Sequence, residues 1–250
     1  TSRGDCAVGE PVSSSYQVLA KTLKEQDAQA LFDATCAALH SLHAENHLFG
    51  CLIWNGEGAA EKAVHEFCLN RELPTLFLEI ANFPGKLFAD KRGVNTKSYL
   101  YKHPGILDDY PVSDGDFERW KADYLQAKMR VHAVPQSTRL RPPVGSTIQD
   151  WLGFLLYRAP RDRQPTFIPD LINRLRTPEH DVSCDDTSEA DNFVLLPMQV
   201  SNYTHLLVNS AVDNIGGLYQ ALDIAKDLDT VLLVKPHPAE RDHEILGTLQ

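Results

Sequence analysis

The residues best suited to chemistry lie together in Val231-Leu-Leu-Val-Lys-Pro-His-Pro-Ala-Glu240. Four apolar residues in a row predict a buried parallel strand. Lys235 and His237 then stand at its carboxyl end, where open α/β sheets place their ligand crevice. Pro236 and Pro238 fix φ and interrupt strand pairing, so His237 is held on a stiff turn. Pro238, with Glu240 following, suits the first turn of a helix whose free N–H groups favour an anion. A cation, an imidazole and a helix N-terminus are the parts of a phosphate site. The same residues also read as a proline-rich loop closing an ordinary αβ unit, with His237 hydrogen-bonded and structural. Local chemistry leaves both open.

The elements that must position such a site alternate. Helical spacing runs from about Tyr16 to Glu45, through Leu19, Leu23, Leu31, Phe32, Cys36, Leu39 and Leu42. His47 to Trp54 reads as a buried strand, Asn55-Gly-Glu-Gly as a tight turn, Ala59 to Asn70 as a helix and Pro74 to Ile80 as a second strand. That is one βαβ unit. A second follows near the C-terminus: a strand over 192–199, a helix over Asn214 to Asp227 and the strand at 231–235. Between the two, the pattern changes. Trp120, Tyr124, Leu125 and Met129 predict one helix, and Ile148, Trp151, Leu152, Leu155 and Leu156 another, with these side chains in the core. Thr177 to Asp191 is acidic and polar, a solvated connector.

Composition narrows the class. The chain has 250 residues, is 43% hydrophobic and carries a formal net charge of −10. It can bury one large or two modest cores. Its acidity excludes an extended nucleic-acid surface, which would be basic. Five scattered cysteines without a CxxC pair point to reduced thiols and a cytoplasmic location, and no residue set reads as a metal site. Apolar stretches are strand-length, too short to span a membrane. The chain opens on Thr1 and stops soon after its strongest motif, which suggests a piece of a longer protein.

Three motifs in order resemble the bacterial capsule polysaccharide biosynthesis family, which contains retaining β-Kdo transferases using CMP-Kdo. They are Ile53-Trp-Asn-Gly56; Glu79-Ile-Ala-Asn-Phe-Pro-Gly85 with Asp90-Lys-Arg-Gly-Val-Asn95; and Leu196-Pro-Met-Gln199 with the Lys-Pro-His-Pro turn. The resemblance covers roughly residues 45–105 and 190–245. It implies two Rossmann-like lobes in a GT-B-like α/β architecture: residues 1–107 as the acceptor-side lobe, 108–190 as a helical and loop connector, and 191–250 as the start of a truncated nucleotide-sugar lobe. It also implies that His237 lies near the cytidylyl phosphate.

On that resemblance, Gln199, Lys235, His237, Pro238 and Glu240 are expected on the donor side. Glu79 is the candidate general base, against the alternative that it caps a neighbouring loop. Asn55, Gly56, Asn82, Asp90 and Asn95 are expected to contact the acceptor or to shape loops, with Gly93 permitting a positive φ. One position departs from the family. Retaining members carry a nucleophilic aspartate a few residues beyond the glutamine, and here Tyr203 stands there. Three readings follow: Tyr203 is the catalytic nucleophile, as tyrosine is in sialidases; the protein uses another mechanism or donor; or the chain binds without turnover. The second is favoured, because a phenol needs a nearby base, for which His205 is in reach only if the segment is extended.

The expected function is therefore transfer of a sugar, Kdo first among candidates, from a CMP donor to a glycan or glycolipid. No cofactor or metal is expected, and association at the inner membrane with a polysaccharide-export complex is allowed. The alternatives are a catalytically silent component that binds glycan or nucleotide-sugar, and a sugar-nucleotide epimerase of similar fold.

Overall fold

The computed structural model describes residues 10–81, 85–129, 152, 192–237, 240, 245 and 247. They fall into two compact units, one holding residues 10–129 and the other residue 152 and everything described from 192 onward. The whole is mixed α/β, with one small open sheet in each unit.

The first unit begins with a short helix α1 (Tyr16–Leu19), followed by the long α2 (Glu25–Asn46). The helical spacing from Tyr16 to Glu45 is thus broken rather than continuous. Lys21 adopts φ 55, and a left-handed residue cannot continue a right-handed helix. Leu23 lies in the break and is nevertheless buried, so its place in the apolar pattern reflects core packing and not helix. A second left-handed residue, His47 at φ 49, ends α2, and its N–H donates to the His43 carbonyl at 2.9 Å. This turn removes residues 47–50 from the expected strand, which is only β1 (Cys51–Trp54). Phe49, outside it, is 90% exposed.

Helix α3 (Ala59–Leu69) crosses from β1 to β2 (Thr75–Ile80), which runs parallel to β1 with Ile53 opposite Phe77 and Trp54 opposite Leu78. The βαβ expectation holds here. An element absent from the sequence reading is β3 (Leu87–Asp90), which pairs antiparallel to β2 with Glu79 opposite Phe88. The first sheet is consequently mixed and not wholly parallel. Helix α3 buries Ala59, Ala63 and Phe67, an i, i+4, i+8 stripe. Ala59 and Ala63 pack with Ala28 and Phe32 of α2, while Ile53, Phe77 and Val94 form a second cluster. Each of those larger apolar side chains contributes about 1.5–3 kcal/mol by leaving water. Only one sheet face is covered among the described residues. Leu52 (73% exposed) and Trp54 (48%) lie on the other, so β1 is not the fully buried strand its apolar run suggested.

After β3 come α4 (Tyr99–Lys102) and α5 (Asp114–Met129). The helix expected around Trp120 is present, but Trp120 and Leu125 are exposed, not core. The Trp120 ring stacks along its own helix on Tyr124 at 5.3 Å. Of the next expected helix only Leu152 is described, and it is 45% exposed.

The second unit contains β4 (Phe193–Pro197), α6 (Thr204–Leu207), α7 (Asn214–Asp227) and β5 (Val231–Lys235). β4 and β5 are parallel, with Pro197 opposite Lys235. Helix α7 has the predicted bounds. Asp213 caps it by accepting from the Gly216 N–H at 2.7 Å, and Ala221 and Ala225 are buried. The strand expected over 192–199 stops at Pro197, although the Met198 N–H still donates to the Lys235 carbonyl at 2.9 Å. Val231 is 53% exposed, so this strand too is covered incompletely among the described residues.

Candidate functional site

Alternation along the strands explains what meets at the carboxyl ends of β1 and β2. Ile53 and Phe77 face the core, so Asn55 and Glu79, two residues further on, emerge on the same side. Asn55 Nδ2 donates to Glu79 Oε2, and the Ile80 N–H donates to Glu79 Oε1 at 2.9 Å. Both donors act on the carboxylate, which is half-buried. Asn55 takes φ 61 and Gly56 φ 92. A β-carbon on Gly56 would stand 2.7 Å from the Phe77 ring, so no larger residue fits that turn.

Next to this pair is a pocket of about 240 Å³, lined by Asn55, Gly56, Phe77, the side chains of a charge network, and His65. Lys62 projects from α3 and is buried, as is Glu57 in the preceding turn. Lys62 Nζ pairs with Glu10 Oε2 and also donates to Ser14 Oγ at 3.2 Å. Lys97 Nζ bridges Glu10 Oε2 at 2.7 Å and Glu57 Oε2 at 2.8 Å. Gly93, at φ 149, lets the chain return so closely that a β-carbon there would lie 2.7 Å from Lys97 Cβ. Asp90 fixes the same loop, accepting from the Arg92 N–H at 2.7 Å and the Tyr99 N–H at 2.8 Å. Asn95, at φ 52, lies where that loop turns. His65 sits edge-on to Phe77 at 5.0 Å.

The network sets the local protonation. Burial on its own would raise the Glu10 carboxyl, but hydrogen bonds and charge from Lys62 and Lys97 outweigh it and hold the group down at about 2. Burial would lower Lys97, and its bonds to Glu10 and Glu57 raise it instead. Burial lowers His65, favouring the neutral ring.

Because the folded-state value for Glu10 lies below its ordinary 4.5, its stabilisation is complete above that pH and is lost as pH falls from 4.5 towards 2. The Glu10 side chain is 52% exposed, so the contribution is discounted to about 1 kcal/mol, or roughly 2–4 °C in melting midpoint. Glu10→Gln is therefore expected to melt below the parent at pH 7, with the gap closing towards pH 2. Parallel melting curves for parent and variant across that range would rule the network out as a contributor.

In the second unit the loop after β4 is braced from two directions. Asn214, buried at the start of α7, donates through Nδ2 to the Gln199 carbonyl at 2.7 Å and to Ser201 Oγ at 3.1 Å. Glu240 is also buried, and its Oε2 accepts from the Ser201 N–H at 2.8 Å and hydroxyl at 2.7 Å. Glu240, expected among the donor-contacting residues, thus spends its carboxylate on holding a loop. Lys235 is exposed at the end of β5, Gln199 is exposed two residues beyond β4, and His237 is half-buried two residues beyond β5. The His237 carbonyl accepts from the Glu240 N–H at 2.9 Å, closing a turn. Tyr203 immediately precedes α6, and its ring lies nearly parallel to that of His205 with centroids 6.1 Å apart. Asn82 and Pro238 lie outside the described residues.

Glu79, Asn55, Gly56, Asp90 and Asn95 therefore gather in the first unit, and Gln199, Tyr203, Lys235, His237 and Glu240 in the second. Sequence reasoning missed Glu10, Glu57, Lys62, His65 and Lys97, because charges on a helix or loop ordinarily read as solvated. The Gly-Glu-Gly turn before an Ala-rich helix was the available hint for Glu57. Among the described residues no group of three or more His, Cys, Asp or Glu is arranged to hold a metal ion, and no helix is long and apolar enough to cross a membrane. Compared with protein-family models, curated proteins and solved structures, the chain has no match.

Proposed function

We propose that this chain is a glycosyltransferase of bacterial capsule or surface-polysaccharide synthesis, transferring a sugar, Kdo first among candidates, from a CMP-activated donor. Its two units would be the lobes of a GT-B-like architecture, the first taking the acceptor and the second the donor. The observation that carries the reading is exposed Lys235 at the carboxyl end of β5, beside β4, with exposed Gln199 two residues beyond β4 and His237 two residues beyond β5. A crevice at such strand ends is where α/β sheets bind nucleotides. Lys235 and His237 would stabilise charge on the departing phosphate, which is the electrostatic demand of cleaving CMP from a keto-sugar. Glu79, oriented by Asn55, would take the proton from the acceptor hydroxyl.

Tyr203 favours a second reading. It occupies the position at which the resembling family carries its nucleophile, and a chain without that carboxylate would bind nucleotide-sugar or glycan without turnover. Incubation with CMP-Kdo, with and without glycan acceptors, decides between the readings. The transferase reading expects release of CMP that rises with acceptor. Saturable CMP binding with no release would leave the binding component, and preferential conversion of a uridine nucleotide-sugar would leave the epimerase.

A further inference from the structure

We infer that the pocket beside Asn55 binds one neutral, polyhydroxylated sugar ring, which on the transferase reading is the terminal unit of the acceptor. Size limits the ligand first. About 240 Å³ falls below the roughly 300–1,000 Å³ typical of drug-sized ligands, so the pocket holds a single ring and not the whole of a longer molecule. Charge limits it next. The lining carries Glu10, Glu57 and Glu66 against Lys62, Lys97 and Arg92, and the cations of Lys62 and Lys97 are already committed to carboxylates. Three carboxylates against three cations, with Lys62 and Lys97 paired inside the lining, leave no net charge to attract an anion or a cation.

The remaining demand is for hydroxyl groups. Asn55 Oδ1 is buried with no hydrogen-bond partner among the described residues, and leaving such an acceptor unmade is costly. Its amide nitrogen is already bound to Glu79, so the unmet need is for a donor and not for another acceptor. A sugar hydroxyl donates there and can accept from a lysine at the same time. The neutral His65 ring, packed edge to face on the buried Phe77, supplies an apolar surface for the C–H groups of a pyranose. A hydroxyl bound at Asn55 Oδ1 would also be joined through one amide group to the Glu79 carboxylate, linking occupancy of the pocket to the candidate base.

The test is titration of the whole chain with methyl glycosides of neutral hexoses and, separately, of hexuronic acids, followed by ligand-detected NMR. Saturable binding of at least one neutral glycoside is expected, tighter than that of its uronate counterpart. Asn55→Gly, which tolerates the positive φ, should weaken it about five- to tenfold. His65→Ala should weaken it as well, and serves if the first variant melts early. Failure of every neutral glycoside to saturate, stronger binding of the uronates, or full affinity in both folded variants would overturn the inference. Glycoside binding without donor turnover would keep the pocket and reject the transferase. Turnover with an acceptor KM unmoved by both variants would keep the transferase and reject the pocket.

Discussion

Glu79→Gln is expected to reduce donor turnover to acceptor by about 10²-fold or more, with nucleotide affinity essentially unchanged. Glu79 is the carboxylate at the end of β2 with two fixed donors, the Asn55 amide and the Ile80 N–H. Those bonds orient it, and orientation is what a general base requires before its proton affinity matters. In the Gln variant the side-chain amide keeps one acceptor oxygen and loses all basicity. The competing role is bracing the Asn55 turn. Loss of one of two partly exposed hydrogen bonds would then cost about 1 kcal/mol of stability and nothing in rate. Steady-state kinetics with a melting curve on the same preparation therefore separate the two. A parental rate at reduced stability would assign Glu79 to the loop, as would loss of activity only through loss of folding. Glu79→Asp, which keeps a carboxylate but withdraws it from Asn55, should show an intermediate rate if the base assignment is correct.

His237→Ala is expected to weaken CMP binding by roughly 1–3 kcal/mol, the usual cost of removing a charge-assisted hydrogen bond. His237 stands two residues beyond β5, on a turn closed by the Glu240 N–H, and the residue is half-buried. Glu240 anchors that turn by gripping Ser201 across from it, so the backbone should survive truncation of the imidazole. Lys235→Met should give a smaller loss that fades with added salt, since an exposed ammonium acts through a screened field. Calorimetric titration with CMP, compared between the parent and a His237→Ala protein of unchanged melting temperature, measures the effect. Equal affinity would make the Lys-Pro-His turn scaffold only, and the transferase reading would lose its main support.

The features legible in the chain were local ones. Helix α7 was legible to the residue because helical spacing acts within a few turns of chain. Helix α3, the parallel pairing of β1 with β2, and that of β4 with β5 were legible because apolar runs and turn residues are short-range signals. Asn55, Glu79, Gln199, Lys235 and His237 were nameable for the same reason: each follows or ends a readable strand. Tertiary structure decided the rest. Lys97 reaches Glu10 across 87 residues of chain, and nothing near either residue in sequence announces that two lysines and two glutamates share one partly buried space. The antiparallel β3, a short run of Leu87, Phe88 and Ala89 between turn-rich stretches, became a strand because β2 offered it an edge. Trp120 and Leu125 carried a helical pattern that sequence reading filled with a core, yet that face is exposed. Periodicity specifies which side of a helix is apolar; what covers that side depends on where the remaining elements pack. Glu240 shows the same limit in a polar group, since only the fold could reveal that its carboxylate was already engaged by Ser201.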